Sequence, residues 1–122
     1  MKPRILIVED ELIVAACLEK NLYGFGYEVL PVASTADEAV ALAEEHKPDI
    51  ILMDIILEGK KTGIDAAREI RENHQIPILF LTGNPHLLDD IEFEWEKKPI
   101  TMIIPKPVAM RQLRQFIEEA LE

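Results

Sequence analysis

The chain is poor in the residues that make disulfide or zinc cross-links. It has one cysteine and three histidines among 122 residues. A single cysteine excludes an intrachain disulfide, and because Cys17 falls within a helical pattern we expect it to fill space in the core. The histidines are scattered along the chain, so no Cys/His cluster points to zinc. Any metal site would have to use oxygen ligands.

The sequence also lacks a membrane segment and an excess of basic residues. No apolar stretch approaches the roughly 20 residues of a membrane span. Two of the first four residues are basic, but only four apolar residues follow before Glu9, which is too few for a secretory signal. Acidic residues outnumber basic ones by 23 to 13, and the formal net charge of −10 opposes binding to nucleic acid. We therefore expect a cytoplasmic protein that binds neither membrane nor nucleic acid directly.

The composition is that of one folded domain. Apolar residues make up 48% of the chain and charged residues 30%, as in soluble globular proteins. A length of 122 residues lies in the usual range for one domain and leaves no room for a second. We therefore expect a single domain over residues 1–122.

Strand and helix patterns alternate along the chain. Apolar runs typical of strands occupy residues 5–8, 27–32, 50–53, 78–81 and 101–104. Helical spacing predicts helices over residues 11–23, 35–45, 62–73 and 108–121. The first of these would end at Gly24, and Thr35 and Glu38 would form a capping box at the second. The stretch 84–99 is the least readable, and any helix there would be short.

This alternation predicts an α/β fold of the flavodoxin-like (βα)5 type. Parallel strands need long crossovers, which are almost always right-handed and cover both faces of the sheet. The doubly wound parallel sheet would have the strand order 2-1-3-4-5, which makes the first and third strands neighbours at the switch point.

Polar side chains follow the predicted strands at their carboxyl ends. Glu9 and Asp10 follow the first strand, Asp54 the third, Thr82 the fourth and Lys106 the last. Open α/β sheets place their sites at this edge. The sequence therefore predicts a site of three acids, one hydroxyl and one ammonium.

The chemistry of this cluster favours phosphoryl transfer assisted by a metal. Two unit charges about 4 Å apart interact by roughly 4 kcal/mol at an effective dielectric of 20, so three convergent carboxylates call for a cation. All-oxygen ligation favours Mg²⁺, which keeps waters that a phosphoryl group can replace. With Mg²⁺ bound, one carboxylate would attack phosphorus, Lys106 would neutralise the phosphoryl oxygens, and Thr82 would donate a hydrogen bond. The product would be an aspartyl phosphate.

At these positions the chain resembles the receiver domains of two-component response regulators. The matching motifs are ILIVEDE at 5–11, PDIILMD at 48–54, LTG at 81–83 and PKP at 105–107. The similarity extends over essentially the whole chain. It implies a receiver domain that takes a phosphoryl group from a phosphohistidine on a histidine kinase or phosphotransfer protein. Because the chain has only 122 residues, we expect a stand-alone receiver without an output domain.

The resemblance also implies individual roles. Asp54 would be the phosphoacceptor, Thr82 the hydroxyl that moves toward the phosphoryl group, and Lys106 the lysine of the family pattern. Magnesium would be held by oxygen atoms at the ends of the first and third strands, from Asp10, Asp54, the main-chain carbonyl of Ile56 and, through water, Glu9.

The chain departs from the receiver pattern at three positions that bear on the surface through which receivers act on other proteins. Glu58 stands where receivers often have proline, and Gly63 lies nine residues after Asp54 instead of eight, so this loop is one residue longer. Ile103 stands at a position that is usually aromatic. We therefore expect an unusual output surface. Lys60 and Lys61 in the long loop would either steer phosphate or keep the loop soluble.

Two other functions compete with a phosphorylation switch. One is a receiver-like module that binds a partner protein without phosphorylation, for which Ile103 provides an argument. The other is a phosphohydrolase that passes through an aspartyl phosphate, but this enzyme would need a second acid where the chain has Ile56. The sequence does not identify the kinase, the downstream protein or the oligomeric state.

Overall fold

The computed structural model describes residues 2–84 and 101–122. Within these ranges the chain forms five strands and four helices. In chain order they are β1 (Arg4–Val8), α1 (Leu12–Gly24), β2 (Glu28–Val29), α2 (Ala36–His46), β3 (Ile50–Asp54), α3 (Gly63–Asn73), β4 (Ile78–Thr82), β5 (Thr101–Pro105) and α4 (Met110–Leu121).

All strand pairs are parallel, and the sheet order is β2-β1-β3-β4-β5. This order confirms the predicted flavodoxin-like arrangement. β1 pairs with β3 in a register that places Val8 opposite Met53. The residues that follow each of these, Glu9 and Asp54, are therefore neighbours at the carboxyl edge of the sheet.

The central strands β1, β3 and β4 are buried on both faces, and alternate residues point to opposite sides as expected for β-structure. One cluster lies between the sheet and helices α2 and α3, and its strand members include Leu6, Val8, Ile51, Met53 and Phe80. The other lies between the sheet and helices α1 and α4, and its strand members include Ile5, Ile7, Leu52, Leu79 and Ile104. Two helices on each face thus hold the central strands rigidly beneath the acidic edge.

The predicted second strand is longer than the observed one. Residues 27–32 were expected to be extended, but β2 contains only Glu28 and Val29. Leu30 and Ala33 still donate backbone hydrogen bonds to Ile5 and Ile7 of β1, at 2.9 Å each. The donors Glu28 and Leu30 are two residues apart, whereas Leu30 and Ala33 are three apart, so the regular ladder ends after Leu30.

The helix ends differ in detail from the predictions. Gly24 is the last residue of α1 and not its cap, while Gly26 takes the left-handed conformation with φ +92°. At α2, Thr35 Oγ1 accepts a hydrogen bond from the Glu38 N–H at 3.1 Å, but the Glu38 carboxylate accepts from the Ser34 N–H. The predicted capping box is therefore only half formed.

Cys17 does not fill the core as predicted. It lies on the exposed side of α1, although the neighbouring Ala15 and Leu18 are buried. Helix α1 is apolar on nearly every side, so spacing alone did not distinguish its inner face from its outer face.

The structure bears differently on the predicted short helix and on the predicted absence of a membrane segment. The short helix considered for 84–99 lies almost wholly outside the described residues. Among the described helices, none has the length and apolar character required to cross a membrane.

Candidate functional site

Three carboxylates meet where β1 and β3 end. Glu9 and Asp10 follow β1 directly, and Asp54 is the last residue of β3. One oxygen atom from each lies within 4.8 Å of the others. The structure therefore brings together the three acids that the sequence predicted.

Glu9 is the most deeply placed of the three. It is only 3% exposed, and its Oε2 accepts a hydrogen bond from the Glu11 N–H at 3.2 Å. Burial raises the pKa of Glu9 to about 7; the charge of Asp54 also raises it, whereas the Glu11 N–H and Lys106 lower it. Near neutral pH this carboxyl group is therefore close to its midpoint of ionisation.

Both oxygens of Asp54 have a donor. Its Oδ1 accepts a hydrogen bond from the Ile55 N–H at 2.7 Å, and its Oδ2 lies 3.4 Å from Lys106 Nζ. The side chain is 15% exposed. It is thus held in one orientation and yet reachable from solvent.

Lys106 is the cation of the site. Its Nζ lies 3.3 Å from Glu9 Oε1 as well as close to Asp54, and its N–H donates to the Thr82 carbonyl at 2.7 Å. Burial lowers the pKa of Lys106, but the attraction of Asp54 and Glu9 outweighs burial and raises it overall. The ammonium group therefore stays charged between two carboxylates.

Thr82 ends β4, one residue past Leu81, which pairs with Asp54. Its side chain is 3% exposed, and its Oγ1 accepts a hydrogen bond from the Asn84 N–H at 3.0 Å. The structure gives it the local bond while placing it on the strand next to Asp54.

Ile56 lies just outside β3, two residues after Asp54. Its side chain is 64% exposed, whereas the neighbouring Ile55 and Leu57 are buried. The binding of a metal by its main-chain carbonyl remains a prediction.

Sequence reasoning missed the structural role of Gly63. Its N–H donates to the Ile55 carbonyl at 2.7 Å, and a Cβ at this position would overlap the main-chain oxygen of Asp54. The start of α3 therefore packs directly against the end of β3 that carries Asp54. The available signal in the sequence is a glycine directly after a polar loop.

The donor set fits a hard divalent cation. Three carboxylates converge, all potential ligands are oxygens, and one of the acids is buried with a raised pKa. Mg²⁺ is bound in this way by a few carboxylates, with waters completing its coordination. A cation would relieve the mutual repulsion that Lys106 offsets only in part.

The geometry agrees with comparisons to known proteins. Residues 5–118 match the family model of the response regulator receiver domain. The phyllosphere-induced regulator PhyR of Methylorubrum extorquens is 34% identical over 122 residues, covering 99% of this chain and 44% of the relative.

Two solved structures give the same result. The response regulator PhyR from Brucella abortus superimposes with a TM-score of 0.83 at 36% identity, covering 99% of this chain and 48% of that one. The anti-anti-sigma factor PhyR from Bartonella quintana gives a TM-score of 0.81 at 32% identity, with coverage of 99% and 48%.

A parallel sheet with an acidic cluster and a lysine at its carboxyl edge is the arrangement of a receiver-like domain. The chain belongs to the response regulator receiver domain family. It spans less than half the length of the curated relatives that it matches.

Proposed function

We propose that this receiver is switched by transfer of a phosphoryl group from a phosphohistidine to Asp54. The observation that supports it best is the position of Lys106 Nζ, 3.3 Å from Glu9 and 3.4 Å from Asp54. An ammonium group between the acceptor and a second acid can move its charge to incoming phosphoryl oxygens without a rearrangement of the backbone.

The chain's own residues divide the work of the transfer. An Asp54 carboxylate oxygen attacks phosphorus, and the P–N bond of the donor breaks with its electron pair passing to the imidazole nitrogen. Ile55 N–H fixes the orientation of the carboxylate through Oδ1. Lys106 neutralises the phosphoryl oxygens, and the Thr82 hydroxyl donates a hydrogen bond to one of them.

Glu9, Asp10, Asp54 and the main-chain carbonyl of Ile56 would hold Mg²⁺. When bound, the ion supplies positive charge that lets the acceptor carboxylate and the phosphoryl oxygens approach. The protein's part is to hold the acids close together and aligned.

The partners follow from this chemistry. The donor would be a histidine kinase or a histidine phosphotransfer protein, because a phosphohistidine supplies the phosphoryl group. The output would be a changed affinity for a downstream protein through a shift between two conformations. A net charge of −10 argues against direct binding to nucleic acid.

Intact mass measurement after incubation with a small phosphodonor and Mg²⁺ tests the proposal. We expect the wild-type protein to gain one phosphoryl group and the Asp54→Asn variant to gain none. Asp49→Asn is the matched control, because Asp49 precedes the same strand at its opposite end, where it accepts a hydrogen bond from the Arg4 N–H. Absence of any mass gain in the wild type would instead favour the phosphorylation-independent binding module.

A further inference from the structure

The loop between β3 and α3 (residues 55–62) is closed tightly at its base. Gly63 N–H bonds to the Ile55 carbonyl at 2.7 Å, and no side chain fits between Gly63 and the Asp54 carbonyl. This loop is one residue longer than in the receiver pattern, and its tightly packed base has no room for that residue. The extra length must lie in the part of the loop that carries Ile56 to Lys61.

In the first half of this loop the side chains alternate between core and solvent. Ile55 and Leu57 are buried in the cluster beneath α2 and α3, while Ile56 and Glu58 point outward. The backbone of Glu58 forms an isolated parallel β-bridge with Thr35, the residue that caps α2. The outgoing part of the loop is thus attached to the start of α2.

The second half of the loop, which leads into α3, is held by ion pairs of Lys61. Lys61 Nζ lies 3.0 Å from Asp37 Oδ1 in the first turn of α2 and 3.9 Å from Glu69 Oε2 in α3. The hydrogen bond and charge of Asp37 raise the pKa of Lys61. Because its ammonium already faces two carboxylates, Lys61 is better suited to holding the loop than to steering phosphate.

We propose that Lys61 is a positioning residue for the phosphorylation site. Its ion pairs with Asp37 and Glu69, here called the clasp, hold the long loop against α2 and α3. The clasp thereby sets where the Ile56 main chain lies beside the acid cluster. The inference rests on the proposed function, since the Ile56 carbonyl is one of the proposed Mg²⁺ ligands.

Amide hydrogen exchange without Mg²⁺ or phosphodonor tests the clasp by itself. In Lys61→Met we expect residues 56–60 to exchange about two- to fivefold faster than in the wild type, the size expected for an exposed ion pair. Lys61→Arg should behave as the wild type. Lys60→Met removes the same charge from the same loop, but Lys60 forms no ion pair with the described residues, so its exchange should be unchanged.

A double-mutant cycle tests whether Asp37 is the partner through which Lys61 holds the loop. If Asp37 and Lys61 act together, Lys61→Met combined with Asp37→Asn should exchange no faster than Lys61→Met alone. The difference between wild type and Lys61→Met should also disappear in about 1 M NaCl, where the screening length is about 3 Å. Additive effects, or a difference that persists in salt, would contradict the clasp.

Magnesium titration then tests the link to the site. Lys61→Met should weaken Mg²⁺ binding by about two- to fivefold relative to Lys60→Met, again the range of an exposed pair, and its urea midpoint should fall by no more than the loss of that one pair explains. Equal Mg²⁺ affinities for the two variants would overturn the positioning role. A wild-type protein that binds Mg²⁺ but takes up no phosphoryl group would overturn the proposed function and leave the clasp standing.

Discussion

Glu9 is a buried acid placed beside another acid. Its exposed fraction is 3%, and its pKa is raised to about 7 because burial and Asp54 disfavour the charged form. Lys106, at 3.3 Å, offsets only part of this cost. The metal-free protein therefore contains a local electrostatic strain that depends on pH.

The first prediction is that Glu9 makes the metal-free protein less stable as pH rises. Below about 4.5 the carboxyl group is protonated in both states and has no effect. Between pH 4.5 and about 7 the unfolded state releases its proton while the folded state retains it, so the free energy of unfolding falls. Above that range the loss is constant, on the order of 3 kcal/mol.

Urea unfolding in EDTA across this pH range measures the effect. Glu9→Gln cannot titrate, so it should lose this slope and exceed the wild type in stability at pH 8 by that same order of magnitude. Other titrating groups contribute to both proteins and cancel in the difference. Parallel stability curves for the two proteins would show that Glu9 ionises normally in the fold.

The second prediction concerns Ile56, which is 64% exposed beside Asp54. An apolar side chain cannot orient a water molecule for attack on the phosphoryl group, so we predict a long-lived aspartyl phosphate. Ile56→Asn should hydrolyse faster, on the order of tenfold. The decay of phosphorylated protein followed by intact mass measures this rate, with Ile56→Val as the apolar control. An unchanged or slower rate in Ile56→Asn would refute the shielding role.

Among the elements, the contact between β3 and α3 depends on Gly63. A Cβ there would overlap the Asp54 carbonyl oxygen and lie 2.9 Å from Met53 Cγ. Backbone atoms of a central strand cannot move away easily, because β3 is paired on both sides. The close approach therefore requires glycine.

We accordingly predict that Gly63→Ala destabilises the fold by about 1–3 kcal/mol, the usual cost of overpacking. Gly24→Ala is the control, since nothing lies within 4 Å of a Cβ at the last residue of α1. That change should be neutral or stabilising by up to about 1 kcal/mol. Chemical denaturation of the two variants makes the comparison, and equal stabilities would contradict the steric argument.

The strands with continuous apolar runs were predictable to within about a residue, because both faces of a central parallel strand are buried. The length of the edge strand β2 was not, because the donors to β1 change from a two-residue to a three-residue step after Leu30, and apolar spacing does not show such a shift. Cys17 shows the same limit for helices. In α1 the exposed face carries Leu12 and Ile13, 80% and 86% exposed, so apolar spacing did not identify the buried face.

The position of the site was predictable because strand order and register determine which strand ends meet. Glu9, Asp10 and Asp54 converge as expected once β1 pairs with β3. The contacts made by Lys61 were not predictable, because they join a loop to two helices through long side chains. Sequence spacing contains no information about such contacts.

At the scale of the whole molecule, the net charge of −10 and the acidic edge both favour a cation. A ligand that binds only the folded state raises the free energy of unfolding by RT ln(1 + [L]/Kd). At ten times Kd this amounts to about 1.4 kcal/mol.

We therefore predict that Mg²⁺ raises the melting temperature of the wild type by a few degrees. Asp10→Asn and Asp54→Asn should show a much smaller rise. Sodium chloride at equal ionic strength is the control for general screening of the negative charge. A rise of the same size in the wild type and both variants would mean that the ion acts on the surface at large.

The shortness of β2 has a consequence for behaviour at high concentration. An exposed sheet edge offers unpaired backbone groups to other chains, and long flat edges promote fibrous association. Here the edge consists of Glu28 and Val29 and is followed closely by Pro31. A charged side chain and a missing donor leave little for an incoming strand to join. This border of the sheet is thereby protected against amyloid-like growth.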